Sequence, residues 1–110
     1  MASVAKISWW QWLPIFGWRV VANVEAADEI PDRLPRRGAV VVGARVHPKW
    51  IAFDCPCGAG HRIMHPTDRA HSPRWRVSST RKLTITPSIY YKSCSRRCHY
   101  FIRDGRVKWT

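Results

Sequence analysis

Short apolar runs separated by turn-forming residues dominate the chain, and they predict strands rather than long helices. Residues 39–44 (Ala-Val-Val-Val-Gly-Ala) form a β-branched run that ends before His47-Pro48, which is typical of a buried strand. Residues 50–54 then alternate between larger apolar and smaller residues. Residues 40–53 are therefore predicted to form a hairpin that leads into Cys55.

The same pattern predicts further strands on both sides of this hairpin. Asp104-Gly105 separates two alternating runs and is the strongest short hairpin signal in the chain. We expect a mostly β fold in a single domain over residues 1–110, a small sheet or open barrel built of hairpins. The additional predicted strands are 19–27, 62–64, 75–78, 83–86, 100–103 and 106–109. Of these, 75–78 and 83–86 are predicted to form a further hairpin that turns at residues 79–82.

A tryptophan-rich segment, about residues 1–18, precedes the first predicted strand. In a helix, Trp9, Trp12 and Phe16 would share one face, with Pro14 interrupting it. Four interpretations of this segment remain open: packing in the core, a patch that binds a protein partner, an anchor on a membrane surface, and a platform on which bases stack. The apolar stretch is too short to span a bilayer and lacks the features of a leader, so we expect no membrane span and a reduced, cytoplasmic compartment.

Positive charge is concentrated in the second half of the chain. The net charge is +12, and residues 55–110 carry twelve of the nineteen Lys/Arg but only two of the seven Asp/Glu. Such a surface attracts a polyanion or an acidic protein face. The predicted contact residues are Arg62, Arg69, Arg74, Arg76, Arg81, Lys82, Arg96 and Arg97.

Four cysteines occur as two close pairs, Cys55-Pro56-Cys57 and Cys94 with Cys98, about forty residues apart. Two chelating loops joined by one ion would close the long intervening loop and stabilise a domain with a modest core. In a reduced compartment, clustered cysteines favour metal binding, so the pattern predicts a zinc site. The alternatives are two disulfides or buried thiols.

Five motifs in one order resemble a small bacterial family of domains of unknown function, here called the CPCG-type zinc-binding family. They are Trp-x-x-Phe-x-Cys-Pro-Cys-Gly-x-Gly-His, then Trp-Arg, then Leu-Thr-Ile-x-Pro-Ser-Ile, then Cys, and finally His-Tyr-Phe-Ile-Arg-x-Gly-x-Val-x-Trp, spanning about residues 36–109. The resemblance implies a peptidase-like role beside ubiquitin-like conjugation genes in bacterial defence. It also implies a relation to small basic proteins that accompany Cas9.

This chain departs from the family pattern at two positions. Ala59 stands where the family often has a third cysteine, and Cys98 stands where it usually has serine. The chain thus lacks one thiol of the family and has another in its place, as expected of a metal site that keeps four sulfur ligands. The predicted zinc ligands are Cys55, Cys57, Cys94 and Cys98, with His99 and then His61 as substitutes for Cys98.

If the family is a peptidase, its chemistry requires a nucleophile and a base that activates it. The resemblance makes Ser88 the candidate nucleophile and His61 and His99 the candidate bases, with zinc as a scaffold. An ordinary strand or turn serine is the alternative for Ser88, and a thiol nucleophile at Cys98 is the alternative if the family's serine is catalytic. The remaining histidines, His47, His65 and His71, fall in proline-containing loops and are expected to be solvated.

Two hypotheses of function follow. The first is a zinc-stabilised serine peptidase-like domain that processes or deconjugates a ubiquitin-like protein in a bacterial defence system. The second is a non-catalytic basic zinc-binding accessory that binds nucleic acid or a nucleoprotein such as Cas9. Whether the chain is an enzyme is therefore left open by its sequence.

Overall fold

The fold consists of eight β-strands and two short 3₁₀ helices among the described residues of a computed structural model. The structure describes residues 4–44, 47–58, 60–68, 75–92 and 97–109, and at positions 87, 90–92, 97 and 98 it describes the backbone. The 3₁₀ helices are Trp9–Trp12 and Ala27–Glu29. The strands are β1 (Arg19–Val24), β2 (Gly38–Gly43), β3 (Pro48–Asp54), β4 (Arg62–Pro66), β5 (Arg76–Ser79), β6 (Thr84–Lys92), β7 (Arg97–Arg103) and β8 (Arg106–Trp109).

The strands form two four-stranded sheets, in the orders β1-β2-β3-β4 and β5-β6-β7-β8. The three predicted hairpins β2–β3, β5–β6 and β7–β8 are all antiparallel pairs. The first strand differs, because β1 pairs parallel to β2 through a long connection. The mostly β prediction is confirmed as two hairpin-built sheets, and the described strands do not close into a barrel.

The larger of two apolar clusters among the described residues lies between the two sheets. Apolar side chains of both sheets are fully buried in it, because alternation along each strand directs one row of residues inward. Phe53 of β3 packs edge-to-face against Trp18, with ring centroids 5.5 Å apart. The main members are Ala39, Ile51, Phe53 and Ile63 from the first sheet, Ile85, Ile89, Tyr100 and Ile102 from the second, and Leu83 directly before β6.

Trp18 connects the two sheets through its backbone as well as its ring. Its N–H donates to the Gly105 carbonyl at 2.8 Å, and its carbonyl accepts from the Leu83 N–H at 3.0 Å. Gly105 N–H in turn donates to the Leu83 carbonyl at 2.9 Å. These bonds satisfy buried backbone groups that would otherwise lose their hydration without compensation.

The β7–β8 turn has the conformation that its sequence predicts. Asp104 and Gly105 have φ angles of 52° and 78°, the left-handed pair of a two-residue hairpin turn. The Asp104 N–H donates to Thr84 Oγ1 at 3.0 Å. Because Gly105 lies against Trp18, the turn also holds the second sheet against the first.

The tryptophan-rich segment divides between core and surface. Trp18 is 6% exposed, whereas Trp9, Trp10 and Trp12 of the first 3₁₀ helix are exposed. Leu13 is extended, as expected of a residue before Pro14, and it ends the helix. Among the described residues, no helix has the length and apolar character needed to cross a bilayer.

We predict that Gly105→Ala lowers the free energy of unfolding by about 2–3 kcal/mol. An added Cβ would lie 3.2 Å from the Trp18 carbonyl oxygen, in addition to the cost of a positive φ. Gly60→Ala is the matched control, since Gly60 has φ +85° but no neighbour within 4 Å. It should cost about 1 kcal/mol in denaturant unfolding, and equal losses for the two variants would contradict this view of the turn.

Candidate functional site

Strands β6 and β7 present two different faces. Ile89 pairs with Tyr100 in the ladder, and both side chains are fully buried in the core. Position 90 pairs with His99, so Ser88 and His99 are diagonal neighbours on the face opposite Ile89. Both side chains on this second face are half-buried.

Ser88 Oγ lies 3.1 Å from His99 Nε2. This is hydrogen-bond distance, and it falls within the range expected for a nucleophile and its general base. When the neutral imidazole carries its proton on Nδ1, Nε2 accepts the hydroxyl hydrogen of Ser88. The structure therefore brings together two of the three residues that the resemblance implicates in catalysis.

Trp75 fixes the backbone of Ser88. Its indole Nε1–H donates to the Ser88 carbonyl at 3.3 Å, and its own backbone N–H donates to the Pro66 carbonyl at 2.8 Å. Its ring stacks on the imidazole of His65, with centroids 4.2 Å apart and planes inclined by 30°. Trp75 thus links β4 of the first sheet to the serine on β6 of the second.

The expectation that His65 is solvated was wrong. His65 lies in β4, pairs with Ile51 and is 7% exposed. Its Nε2 has no hydrogen-bond partner among the described residues, and burial lowers its pKa to about 4. The alternation Ile63-x-His65 was the available signal, since it places both residues on the inner face of one strand. The proline after His65 concealed it.

Cys55, Cys57 and His61 form a compact group of donor atoms at the end of β3. One ligand atom from each lies within 4.8 Å of the others. The loop is closed by the Cys55 N–H, which donates to the His61 carbonyl at 3.0 Å, and it turns through Gly58 and Gly60 at positive φ. Two sulfurs and an imidazole are suitable ligands for a metal ion.

The donor atoms of this group are near enough to one another for a single ion to bind all three residues once the imidazole rotates. Cys57 Sγ is 3.9 Å from each ring nitrogen of His61, whereas a sulfur and the nitrogen bound to the same tetrahedral zinc are roughly 3.5 Å apart. Cys55 is buried, and the Tyr100 hydroxyl donates to its sulfur at 4.0 Å. His61, the second substitute ligand in the sequence analysis, therefore lies with the first cysteine pair.

The second cysteine pair remains a prediction. Cys94 lies outside the described residues, and at Cys98 only the backbone, in β7, is described. His99, the first substitute ligand, lies at Ser88. His61 as a catalytic base also remains a prediction, since its described side-chain contact is with Cys57.

The predicted basic surface is described only in part. Arg62 forms an ion pair with Asp54 at 2.6 Å and also donates to the carbonyl of Asp32. Arg76, Arg81 and Lys82 are exposed, whereas the Arg97 side chain is not described. Arg69, Arg74 and Arg96 lie outside the described residues. Nucleic-acid binding remains a prediction.

Comparison with known families identifies the family of this chain. Residues 26–110 match the model of the family described as bacterial ubiquitination-like system serine protease (BubE). The chain belongs to this family. BubE membership gives the chain a serine protease-like role in a bacterial ubiquitination-like system, as the sequence resemblance implied. No curated protein and no solved structure matches the chain.

We predict that the stability of this BubE protein falls as the pH is lowered from about 6.5 to about 4. In this interval the unfolded chain protonates His65, whereas the folded chain, with a pKa of about 4, does not. The rings packed on His65, Phe53 and Trp75, are uncharged. The free energy of unfolding should therefore decrease by about 2 kcal/mol and then level off below pH 4.

Denaturant unfolding across this pH range is the measurement, with chelator present throughout so that acid release of a bound metal does not add to the slope. His65→Phe keeps an aromatic ring against Trp75 and should remove most of the loss. His47→Gln, at an exposed histidine, is the control and should retain it. An unchanged pH slope in His65→Phe would refute the assignment.

Proposed function

We propose that this protein is a peptidase in which Ser88 is the nucleophile and His99 is the general base. The observation that carries the proposal is the 3.1 Å separation of Ser88 Oγ and His99 Nε2 on the outer face of β6 and β7. Membership of the BubE family supplies the reaction class, since its members are described as serine proteases. His61 is the alternative base, and its position beside Cys57 favours a metal-binding role instead.

The reaction follows from this pair. The Ser88 hydroxyl attacks the carbonyl carbon of the scissile bond as its proton passes to His99 Nε2. The tetrahedral intermediate collapses when the imidazolium returns that proton to the leaving amine, which leaves an acyl ester on Ser88. Water, deprotonated by His99, then attacks the ester and regenerates the serine. The hydrogen bond from Trp75 to the Ser88 carbonyl keeps the nucleophile in register throughout.

The substrate in this proposal is the carboxyl-terminal tail of a ubiquitin-like protein, either as a precursor or within a conjugate. Support comes from the family description, which places its members in a ubiquitination-like system. Cleavage after the tail of a precursor and cleavage of a conjugate are the same acyl transfer with different leaving amines. One serine site can therefore perform both processing and deconjugation.

The proposed metal is zinc in a structural role. Cys55, Cys57 and His61 supply three ligands, and the fourth is proposed to come from the second pair, Cys94 or Cys98. Thiolate-rich sites saturate zinc, so the ion would hold the loop after β3 and leave the chemistry to Ser88. Cys55 is a member of the main core, so a metal bound there would stabilise the core directly.

Ser88→Ala is predicted to lower the rate of tail cleavage by at least about 10³-fold, because no hydroxyl remains to form the acyl ester. The assay uses a fusion of the ubiquitin-like protein of the same system to a reporter domain through its carboxyl terminus. His99→Gln should show a comparable loss. Ser79→Ala, at an exposed serine of β5, is the matched control and should cleave normally.

A second set of variants decides between serine and thiol chemistry. Cleavage that survives Ser88→Ala but disappears in Cys98→Ala would overturn the assignment and make Cys98 the nucleophile. Cleavage lost in both variants, with zinc lost only from Cys98→Ala, fits Ser88 as nucleophile and Cys98 as ligand. Full activity in Ser88→Ala under all conditions would end the proposal.

Metal removal is predicted to destabilise the fold. A chelator should lower the free energy of unfolding by about 3 kcal/mol or more, and zinc should restore it. His61→Gln should weaken zinc binding at least about 100-fold, whereas His47→Gln should bind zinc normally. Unfolding curves that coincide with and without chelator would contradict a structural metal. Zinc titration of Cys94→Ser and Cys98→Ser identifies the fourth ligand.

A further inference from the structure

The first 3₁₀ helix and the loop after it expose large apolar side chains that the catalytic proposal does not use. We call residues 9–16 the aromatic loop. Its Trp9 and Ile15 are 77% and 75% exposed, and the other exposed members are Trp10, Trp12 and Leu13. The loop precedes the region that matches the BubE family, residues 26–110. It supplies none of the residues of the proposed catalytic pair or of the proposed metal site.

The aromatic loop is held in a defined conformation. The Arg19 guanidinium is buried beneath it and donates to Gln11 Oε1 at 2.8 Å, to the Gln11 carbonyl and to the Arg36 carbonyl at 2.7 Å. Trp10 packs edge-to-face on Phe16, with centroids 5.7 Å apart. The exposed side chains are thus presented by a preformed loop, which lowers the entropy cost of binding through them.

Positive charge surrounds the aromatic loop, and no acidic residue occurs between positions 4 and 24. Arg37 donates to the Phe16 carbonyl at 3.3 Å, and Arg81 lines a cavity of about 420 Å³ together with Trp10 and Phe16. Burial, and then the charge of Arg37, lower the pKa of Arg19. The surroundings of the loop therefore favour an anionic occupant.

We infer that the aromatic loop docks this protein on an anionic lipid surface. Trp side chains prefer the interface between headgroups and acyl chains, and exposed Leu13 and Ile15 add apolar groups that can enter it. Arginines beside them attract anionic headgroups. Nucleic acid would stack its bases on the rings and bind the arginines through its phosphates, but exposed Leu13 and Ile15 would contribute nothing to its binding. A second copy of this chain is opposed by the +12 charge that each copy carries.

The test is co-sedimentation of the full chain with vesicles of phosphatidylglycerol and phosphatidylcholine, compared with pure phosphatidylcholine. The protein should bind the anionic vesicles, and less so as salt is raised. The double variant Trp9→Ser, Ile15→Ser should lower the partition coefficient at least about tenfold, since it removes the two most exposed apolar side chains. Trp109→Ser, at a tryptophan 53% exposed on β8, is the matched control and should bind as the wild type does.

Two further variants separate membrane docking from proteolysis and from loss of folding. Ser88→Ala should bind vesicles normally, because docking does not depend on proteolysis. Arg81→Glu should weaken binding to the anionic vesicles while its unfolding curve matches the wild type. The inference is overturned if the protein stays in the supernatant with both vesicle types, if the double variant binds normally, or if the loop instead mediates self-association that the double variant abolishes.

Discussion

Alternation of side chains along β6 and β7 is the constraint on which the candidate site depends. Ile89 and Tyr100 are cross-strand partners and are both fully buried, which fixes the register and the inner face of this strand pair. A slip of one residue would expose them and bury Ser88 and His99. The hydrophobic core therefore specifies the position of the serine and the histidine as firmly as any contact between those two side chains.

A few residues connect the first sheet to the second sheet, which carries Ser88 and His99. Trp18 joins them by its ring and its backbone hydrogen bonds, and Trp75 joins β4 to the Ser88 carbonyl. Cys55 belongs both to the donor group of the proposed metal site and to the core, where it contacts Tyr100. Since Tyr100 directly follows His99, a metal bound at the loop after β3 would also support the strand that carries the proposed base.

Local patterns in the sequence predict the local structure well. The three hairpins follow from alternation and from turn residues, and Asp104-Gly105 has the positive φ angles that its composition implies. The sequence links Ser88 and His99 only because both residues belong to the motifs that carry the family resemblance. The bulge in the β6–β7 ladder between Ile85 and Ile89 sets their diagonal contact, and no local pattern encodes it.

Long-range contacts account for what sequence reasoning missed. Pro66 after His65 predicts a solvated loop, yet stacking on Trp75 and pairing with Ile51 bury the histidine. Arg19 was expected only as the first residue of a strand, whereas its guanidinium anchors the aromatic loop through Gln11. Both outcomes depend on residues that approach from other segments, and a single sequence gives no indication of such contacts.

In the proposed mechanism, Ser88 is a nucleophile that His99 activates. The most direct measurement is reaction of the intact protein with a fluorophosphonate, followed by mass-spectrometric location of the adduct. Activation of Ser88 by His99 predicts a phosphonate on Ser88, which should be absent from Ser88→Ala and strongly reduced in His99→Gln, with Ser79 unlabelled. A protein that stays unlabelled while it cleaves its substrate, or an adduct at another residue that His99→Gln does not affect, would contradict it.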